Sequence, residues 1–353
     1  MSLTRTHTRA RLLWRVTTLL TLATGVCLQA GESPGTREFK FANVDGIREH
    51  GVTVSTGEYR GRKALRVVQP ARGDGFAVLP VVTFQDGVIE ADMAIEITTP
   101  LFPGAPGFGG IAFRARDDIS GYELFYLRPG NSTSPDQAKR NHSVQYVAEP
   151  GFGWPLLRRA WPSVYEAYAP LQTGAWTHLK IEVSGRDAKL FLNGAPQPSL
   201  IVQGLKGEHL SGRVALWGFP GQTTWFSNLR IAHAKPAAVR NGDEAAGDWR
   251  ATAVTDAIPM EGTLKLARDG ETLTGSWSGT FGDALPVKGR WRNGYVEIAF
   301  EGIFPANPAM GPAGPAAVTL AGWIDGDTMN GRVRVANRAE GSIALAKARA
   351  QIE

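Results

Sequence analysis

The chain has 353 residues, of which 43% are hydrophobic and 20% are charged, and its formal net charge at pH 7 is +5. Four arginines and no acidic residue fall within residues 1–30, so the +5 less these four leaves +1 on residues 31–353. Without a run of Lys or Arg to neutralise a phosphate backbone, this balance excludes nucleic-acid binding. The single cysteine, Cys27, lies in the same segment, so residues 31–353 can form no disulfide.

Residues 1–30 are predicted to be a signal peptide for export. Arginines between Arg5 and Arg15 precede an apolar stretch, Val16 to Leu28, which is short for a bilayer-spanning helix. Cleavage is expected after Ala30, which leaves no transmembrane segment in the mature chain. Lipidation of Cys27 is the less favoured alternative, because a valine precedes it where lipoprotein signals carry a small residue. We therefore expect a bacterial periplasmic or extracellular protein.

The rest of the chain is predicted to be all-β. Strand-like runs alternate with turn residues, and no amphipathic helix is evident. Residues 236–248 have no periodicity and are typical of a linker. The sequence therefore predicts one domain over residues 37–235 and a second over residues 249–350, both of ordinary size.

Nine strands predicted in the first domain have a spacing that favours a two-sheet sandwich. Asn193-Gly194 predicts a tight turn, because both residues tolerate positive φ. The order of strands resembles the concanavalin A-like or laminin-G-like jelly roll, which implies a concave face that commonly holds sugars but establishes no reaction. The predicted strands are Gly75–Val82, Gly87–Ile97, Gly109–Ala115, Gly121–Leu127, His142–Val147, Trp176–Val183, Ala188–Leu192, Gly212–Trp217 and Thr224–Ile231.

The second domain follows a different rhythm, with short hairpins such as those at Arg268-Asp-Gly270 and Arg292-Asn-Gly294. This pattern predicts a small antiparallel up-and-down β-barrel and resembles the lipocalin-like class. A packing or spacer role for this barrel stands beside ligand binding.

The predicted strand Gly87–Ile97 carries acidic residues on one face. It resembles the Glu-x-Asp-x-(x)-Glu strand of family 16 glycoside hydrolases, which implies catalytic carboxylates. On a regular strand Glu90 and Glu96 would lie about 20 Å apart, whereas Glu90 and Asp92 would lie about 7 Å apart. The shorter separation falls within the range of about 6.5–9.5 Å for an inverting pair. Glu90 and Asp92 are therefore catalytic candidates, with a solvent-facing acidic stripe as the alternative.

The long connection between Tyr126 and Glu166 combines aromatic rings with amide and guanidinium groups. Such groups can pair with sugar hydroxyls while the rings stack on sugar C–H faces, and a site that pairs each hydroxyl discriminates well. His142, with an unperturbed pKa near about 6.5, and Glu166 are further catalytic candidates. An ordered surface loop with Arg–Glu pairs is the alternative. The candidate ligand-binding residues are Tyr126, Arg128, Asn131, Arg140, Asn141, His142, Gln145, Tyr146, Trp154 and Tyr165.

No cofactor is evident and no metal site is predicted, since the sequence has no His-x-x-x-His or similar ligand spacing. Calcium at Asp117-Asp118, as in some laminin-G-like domains, is an unsupported alternative. Adjacent carboxylates point to opposite sides of a strand, so this pair fits a turn better.

The first domain also resembles secreted bacterial 3-keto-disaccharide hydrolase domains, described as family 16-like. The matching elements are Gly109–Arg114, Tyr122–Arg128, the Trp176 strand, Asn193-Gly194 and the closing pair Gly212–Ile231. The resemblance covers about half of the chain, and most matched positions belong to the core or to turns. It therefore implies the fold more strongly than an activity on modified glycosides.

The sequence thus favours an exported carbohydrate-recognising protein that binds a glycan or glycoside on the concave face of a jelly roll. One alternative is a glycoside hydrolase or lyase, acting on glycosides that include 3-keto forms. It would use His142 or Glu166 with a carboxylate from the Glu90 strand. A second alternative is a structural or adhesive module without catalysis. The sequence indicates no oligomeric state.

Overall fold

The computed structural model of the protein describes residues 35–71, 73, 75–238, 245–308 and 311–348. These residues form 23 strands and three short helices, which confirms the all-β class. The predicted signal peptide and the centre of the predicted linker lie outside the described residues. Within the described ranges, no helix has the length and apolar character needed to cross a bilayer.

The segment from Thr36 to His233 holds fifteen strands and all three helices of the described residues. Before the helices come β1 (Thr36–Phe39), β2 (Arg48–His50), β3 (Thr53–Tyr59), β4 (Arg62–Val68), β5 (Phe76–Phe84), β6 (Gly87–Ile97), β7 (Gly109–Ala115) and β8 (Tyr122–Leu127). Next come α1 (Pro129–Ser132), α2 (Gln137–Arg140), β9 (Val144–Glu149), α3 (Trp154–Ala160) and β10 (Glu166–Ala167). The last strands are β11 (Thr177–Ser184), β12 (Asp187–Leu192), β13 (Leu200–Gln203), β14 (Gly212–Trp217) and β15 (Gln222–His233).

These strands form two antiparallel sheets. The first sheet has the order β13-β12-β11-β6-β15-β4-β3, with β1 also paired to β15, and the second has the order β10-β9-β8-β7-β14-β5-β2. One continuous apolar core includes Ile89 and Met93 from the first sheet and Phe113 and Phe125 from the second. This arrangement is the jelly-roll sandwich that the sequence predicted.

The nine predicted strands correspond to nine observed strands, with ends that agree within two residues. The sequence did not predict β1 to β4, β10 or β13. The tight turn at Asn193-Gly194 is confirmed, since φ is 53° at Asn193 and 69° at Gly194. Positive φ at both central residues is what a two-residue hairpin turn requires.

Three helices interrupt the segment after β8, where the sequence predicted none. They have four, four and seven residues, so none completes the two turns over which a period of 3.6 residues becomes visible. Proline occupies a first-turn position in α1 and α3, where its missing N–H leaves no helical bond unmade. In α2 the Asp136 carboxylate accepts a hydrogen bond of 2.9 Å from the Ala138 N–H.

The central strands of the second sheet are buried on both faces. Every residue of β7 and β8 is buried, although an exposed sheet face would leave alternate positions open to water. The inward residues meet the core, and the segment from Arg128 to Glu166 folds over the outward ones. This cover turns the outer face of the second sheet into a cavity.

The residues from Gly247 to Lys347 form a closed barrel of eight antiparallel strands, each paired with the next and the last with the first. This closure confirms the predicted up-and-down barrel. Apolar side chains fill its interior, and Trp277 and Phe300 stack there at 5.1 Å between ring centroids. The strands are β16 (Gly247–Thr255), β17 (Pro259–Asp269), β18 (Thr272–Gly279), β19 (Gly282–Arg292), β20 (Tyr295–Phe304), β21 (Gly314–Asp325), β22 (Thr328–Val335) and β23 (Ala339–Lys347).

Polar contacts join the barrel to the sandwich. The Trp323 indole N–H donates to the Gly207 carbonyl at 3.0 Å, and Arg186 pairs with Asp325 at 2.7 Å. Glu208 forms an ion pair with Arg290 of the barrel at 3.0 Å. The loop between β13 and β14 therefore anchors the two parts to each other.

Candidate functional site

A row of side chains crosses the outer face of the second sheet in register. Trp217 of β14 is paired with Gly110 of β7, and Gly110 is paired with Tyr126 of β8. Tyr126 is in turn paired with Gln145 of β9, which is paired with Glu166 of β10. Directly paired residues point to the same side of a sheet, so five strands contribute to one transverse line.

An open cavity of about 720 Å³ lies over this row. Its floor includes Tyr126 and Trp217, and its walls come from the loop before β7 and from the segment after β8. Aromatic and apolar groups dominate, and a few charged groups converge among them. The charged and histidine side chains that line it are Arg128, Lys139, His142, Glu149 and Arg158.

The two aromatic rings of the floor can meet because Gly110, which lies between them in the sheet, has no side chain. The rings of Tyr126 and Trp217 meet across it at 5.2 Å and an angle of 61°, and Phe219 continues the surface at 5.7 Å from Trp217. A Cβ at Gly110 would lie 2.3 Å from the Phe125 carbonyl oxygen and 2.7 Å from the Tyr126 Cβ. Trp217 therefore faces the cavity.

Arg128 is held rigidly beside the floor. Its guanidinium donates to the Tyr126 hydroxyl at 2.5 Å, to the Gln145 side-chain oxygen at 3.1 Å and to the His142 carbonyl at 3.0 Å. It also lies over the Tyr126 ring, 4.9 Å from the centroid. Because the residue is only 5% exposed, these bonds fix one orientation of a buried cation at the cavity.

His142, Glu166 and Arg158 form a connected group in the wall. His142 Nε2 lies 3.1 Å from Glu166 Oε1, and Arg158 binds both oxygens of that carboxylate at 2.8–3.1 Å. Burial lowers the pKa of His142, an effect that the Glu166 charge opposes. The lowered pKa of His142 lies below 6.5, so the neutral imidazole predominates at pH 7.

Asn131 and Trp154, both sequence candidates, also line the cavity. The Asn131 side chain donates to the His142 carbonyl at 3.1 Å. Trp154 is 46% exposed, and the Arg158 guanidinium lies 4.7 Å from the centroid of its ring. Together they place one amide and one accessible ring at the cavity wall.

Gln145 is buried behind the lining, and both its amide N–H groups and its oxygen take part in hydrogen bonds within the protein. Its oxygen accepts from Arg128, and its amide donates to the carbonyls of Tyr146 and Tyr165 at 3.0 and 3.1 Å. It positions Arg128 instead of contacting a ligand, which corrects the expected binding role.

Tyr146 and Tyr165 face the interior of the sandwich, which corrects the expectation that they contact a ligand. Tyr146 is fully buried and shares a short hydrogen bond with Glu123, and burial raises its pKa well above the usual value. Burial likewise raises the pKa of Tyr165 to about 12. Adjacent positions on a strand point to opposite faces, so Tyr146 cannot share the outward face of Gln145.

Arg140 and Asn141 lie away from the cavity lining, which also corrects their expected roles. Arg140 donates to the Ser134 carbonyl at 2.7 Å and to the Gln137 side chain at 2.6 Å. Asn141 closes α2, with its oxygen 3.3 Å from the Gln137 amide nitrogen. Both side chains stabilise the α2 turn.

Glu90 and Asp92 lie on the outer face of the first sheet, across the core from the cavity. Asp92 contacts Arg62 at 2.5 Å, His178 at 2.9 Å and Asn228 at 2.6 Å. Glu90 lies 3.4 Å from Arg230. These carboxylates cannot act together with His142 or Glu166, which corrects the catalytic pairing expected from the sequence.

Two parts of the lining were not predicted from the sequence. The loop from Phe102 to Phe108 supplies one wall, and Glu149 at the end of β9 supplies a carboxylate. Glu149 accepts a hydrogen bond of 2.8 Å from the Gly151 N–H. Two Phe residues in a loop rich in Pro and Gly were the available signal, since aromatic side chains in such a loop need a covering surface or a ligand.

The carboxylates considered for calcium have other partners. Asp117 pairs with Arg213 at 2.6 Å, and Asp118 accepts from the backbone and hydroxyl of Ser120 at 3.0 and 2.6 Å. Across the described ranges, no group of three or more His, Cys, Asp or Glu side chains is placed to hold a metal ion.

Neither a family model nor a curated protein matches the chain. Among solved structures, it is similar to a carbohydrate-binding module, CBM66, from Bacillus subtilis, with 16% identity and a TM-score of 0.35 over 52% of this chain and 98% of that one. A putative glycosyl hydrolase from Parabacteroides distasonis is 13% identical, with a TM-score of 0.33 over 57% and 89% of the two chains. The β-glucanase of Bacillus licheniformis is 11% identical, with a TM-score of 0.33 over 57% and 100%. Likeness at this level assigns neither a ligand nor a reaction to the chain.

Proposed function

We propose that the protein binds a saccharide or glycoside in the cavity on the outer face of the second sheet. The observation that carries this proposal is the floor made by Tyr126 and Trp217, whose rings meet at 5.2 Å beneath an open space of about 720 Å³. Ligand cavities of roughly 300–1,000 Å³ with aromatic linings and few placed polar groups are the usual sites for small organic molecules.

The polar groups around the floor support a polyhydroxylated ligand. Arg128 and Asn131 offer N–H donors, while Glu149 offers an acceptor. Arg128 is fixed by three hydrogen bonds before a ligand arrives, so little side-chain freedom is lost on binding. Sugar C–H faces can lie against Trp217 and Trp154 while hydroxyls reach these groups.

A direct test measures glycan binding by wild-type protein and by three aromatic variants, two of which are matched in exposure. Trp154 and Tyr168 are similarly exposed, at 46% and 50%, but only Trp154 belongs to the cavity lining. We expect Trp154→Ala and Trp217→Ala to weaken binding about tenfold or more, since a lost aromatic contact is worth about 1 kcal/mol beyond its area. Tyr168→Ala should bind like wild type. Equal binding by all four proteins would place the ligand elsewhere, and no binding to any glycan would refute the proposal.

A second candidate function is turnover of a glycoside in the same cavity. It is favoured by His142, whose neutral imidazole lies 3.1 Å from Glu166, because a neutral imidazole can accept a proton. The carboxylate partner within the cavity would be Glu149 instead of a residue of the Glu90 strand. Incubation with plain and 3-keto glycosides distinguishes the two functions. Released sugar that disappears in His142→Ala supports catalysis, whereas binding without any product supports recognition alone.

The proposed location is the bacterial periplasm or the extracellular space. Its support is the basic and apolar character of residues 1–30 and the absence of cysteine from residues 31–353. Expression of the full chain in a bacterium, followed by fractionation and sequencing of the mature N-terminus, tests this. We expect a mature protein that begins at Gly31 outside the cytoplasm, and an uncleaved cytoplasmic chain would contradict export.

A further inference from the structure

The charges that line the cavity are unbalanced. Arg128, Lys139 and Arg158 are cations, whereas Glu149 is the one Asp or Glu among the described residues that line the cavity. The charge of Arg158 is balanced by Glu166, which accepts three hydrogen bonds of 2.8–3.1 Å from its guanidinium. The imidazole of His142 is neutral at pH 7 and adds no charge. Arg128 and Lys139 together with Glu149 therefore leave an excess of one positive charge in the lining.

Arg128 is the unusual member of this pair. It is 5% exposed, yet within the described part of the chain no carboxylate lies at ion-pair distance from it. All three of its hydrogen-bond acceptors are neutral oxygens, from Tyr126, Gln145 and the His142 backbone. A guanidinium has five N–H donors, so two of them lie outside these bonds.

A buried cation without a counter-charge is unfavourable, because removal from water is only repaid by a paired anion or a full set of hydrogen bonds. Glu166, on the strand beside Gln145, is already engaged by Arg158 and His142. The partner that Arg128 lacks inside the protein can therefore come from the ligand. The N–H groups left over lie on Nε and Nη1 and do not form a parallel pair, so each can donate a single charge-assisted hydrogen bond to a carboxylate oxygen.

Lys139 adds a second positive charge on the same cavity. It lies on α2, is exposed and lines the cavity. The nearest acidic residue along this helix, Asp136, uses its carboxylate to cap α2 through the Ala138 N–H and is not part of the lining. Lys139 is thus placed to attract an anionic ligand, while Arg128 is placed to bind it.

We infer that the ligand is an acidic saccharide, a glycan or glycoside that carries a sugar carboxylate such as a hexuronate. This inference rests on the proposed saccharide-binding function and specifies its ligand class. The carboxylate pairs with Arg128, the ring of the same or a neighbouring sugar lies over Trp217, and Lys139 contributes long-range attraction that added salt screens.

The test compares each acidic probe with its neutral twin. Oligogalacturonate, oligoglucuronate and oligomannuronate are titrated into the wild-type protein by calorimetry, each beside its carboxyl-reduced form. We expect at least one uronate to bind about tenfold or more tightly than its reduced form, the size expected for a charged hydrogen bond. A sulfated galactan, which carries negative charge but no carboxylate, is included as a control.

Each outcome has one meaning. Equal binding of both forms, or preference for the reduced form, overturns the acidic class but leaves saccharide binding intact. If the sulfated galactan binds and no uronate does, the inference that the ligand carries a carboxylate is wrong. If neither acidic nor neutral glycans bind, the proposed function itself fails.

Variants then locate the charge. Lys139→Met should weaken uronate binding severalfold and reduce its salt dependence. Arg128→Met should abolish the preference for the uronate, and Arg128→Lys should restore part of it. Arg140→Met is the matched control, because Arg140 lies in the same segment but bonds within α2. Loss of the preference in Arg140→Met but not in Lys139→Met or Arg128→Met would refute the assignment.

Discussion

His142 Nε2 lies 3.1 Å from Glu166 Oε1, and this contact joins a residue before β9 to the short edge strand β10. The carboxylate is 5% exposed in its side chain and the imidazole 23%, so the pair lies at the border between protein and cavity. Burial and the nearby cations Arg158 and Arg128 disfavour the charged imidazole, whereas Glu166 favours it.

The titration of His142 follows from this balance. Burial lowers the pKa of His142 below 6.5, and Glu166 acts in the opposite direction, so Glu166→Gln should lower that pKa further. A histidine with a lowered folded-state pKa contributes stability that is present above pH 6.5 and lost as pH falls through the folded pKa. Imidazole NMR signals recorded from pH 4 to 8 measure the pKa of His142 in the wild type and in Glu166→Gln. A wild-type midpoint above 6.5, or a rise in Glu166→Gln, contradicts this account.

Lys206 is predicted to make stability depend on alkaline pH. Burial lowers the pKa of Lys206 from 10.5 to about 8, and the ammonium lies 4.4 Å from the centroid of the Trp161 ring. Between these pH values the unfolded chain binds more protons, so this group's contribution is fully present above pH 10.5 and lost as pH falls towards 8. The unfolding free energy of wild type minus that of Lys206→Met should thus rise by about 3 kcal/mol as pH increases from 8 to 10.5.

Urea unfolding at several pH values measures that difference. Lys189→Met is the control for loss of a lysine side chain at an exposed position of β12. A difference for Lys206→Met that stays constant with pH would contradict the lowered pKa of Lys206.

Gly110→Ala should destabilise the sandwich and disturb the cavity floor together. The new Cβ would lie 2.3 Å from a backbone oxygen of β8, so strands must shift, at a cost of about 1–3 kcal/mol. Gly121→Ala is a milder control, because the nearest atom to its Cβ is a flexible Arg116 carbon at 3.2 Å. Chemical denaturation measures stability, and titration with the bound glycan measures the floor. Equal stability of the two variants would argue against the tight register.

Asp92→Asn separates structure from function on the first sheet. The substitution weakens charged contacts to Arg62 and His178 and should lower the unfolding free energy by about 1 kcal/mol. Glycan affinity, and any turnover, should change less than twofold because Asp92 lies across the core from the cavity. A selective loss of activity in a stable Asp92→Asn protein would revive the catalytic role of this strand.

Trp323→Phe tests the junction between sandwich and barrel. It removes the indole N–H that donates to the Gly207 carbonyl at 3.0 Å, so we expect a loss of about 1 kcal/mol in calorimetric unfolding. Trp291→Phe is the matched control, because the buried Trp291 N–H has no hydrogen-bond partner among the described residues. That substitution should be neutral or stabilising in this respect. A larger loss in Trp291→Phe than in Trp323→Phe would show that the junction hydrogen bond contributes little.

The sequence predicted nine of the fifteen described strands of the sandwich, because the pattern of these strands is visible in a few neighbouring residues. Alternation along Gly87–Ile97 and turn residues such as Asn193-Gly194 are contained within a few neighbouring positions, and the structure agrees with both. The short helices were missed because four to seven residues are too few for a helical period.

The candidate site was predicted only in part. Five residues that the sequence suggested for ligand binding lie in the cavity lining: Tyr126, Arg128, Asn131, His142 and Trp154. Tyr146, Tyr165, Arg140 and Asn141 have the same chemistry and lie within the same segment, yet they face the core or bond within α2.

The amino-acid order by itself determined an all-β chain with a sandwich followed by a barrel, because alternation and turns are local properties. Only the tertiary structure decided which groups share the cavity. That choice depends on sheet order and register, which bring Trp217, Gly110 and Tyr126 side by side although more than a hundred residues separate the first two. The same pairing puts the Glu90 strand on the opposite side of the core, a distinction that residue types and spacing along one strand do not contain.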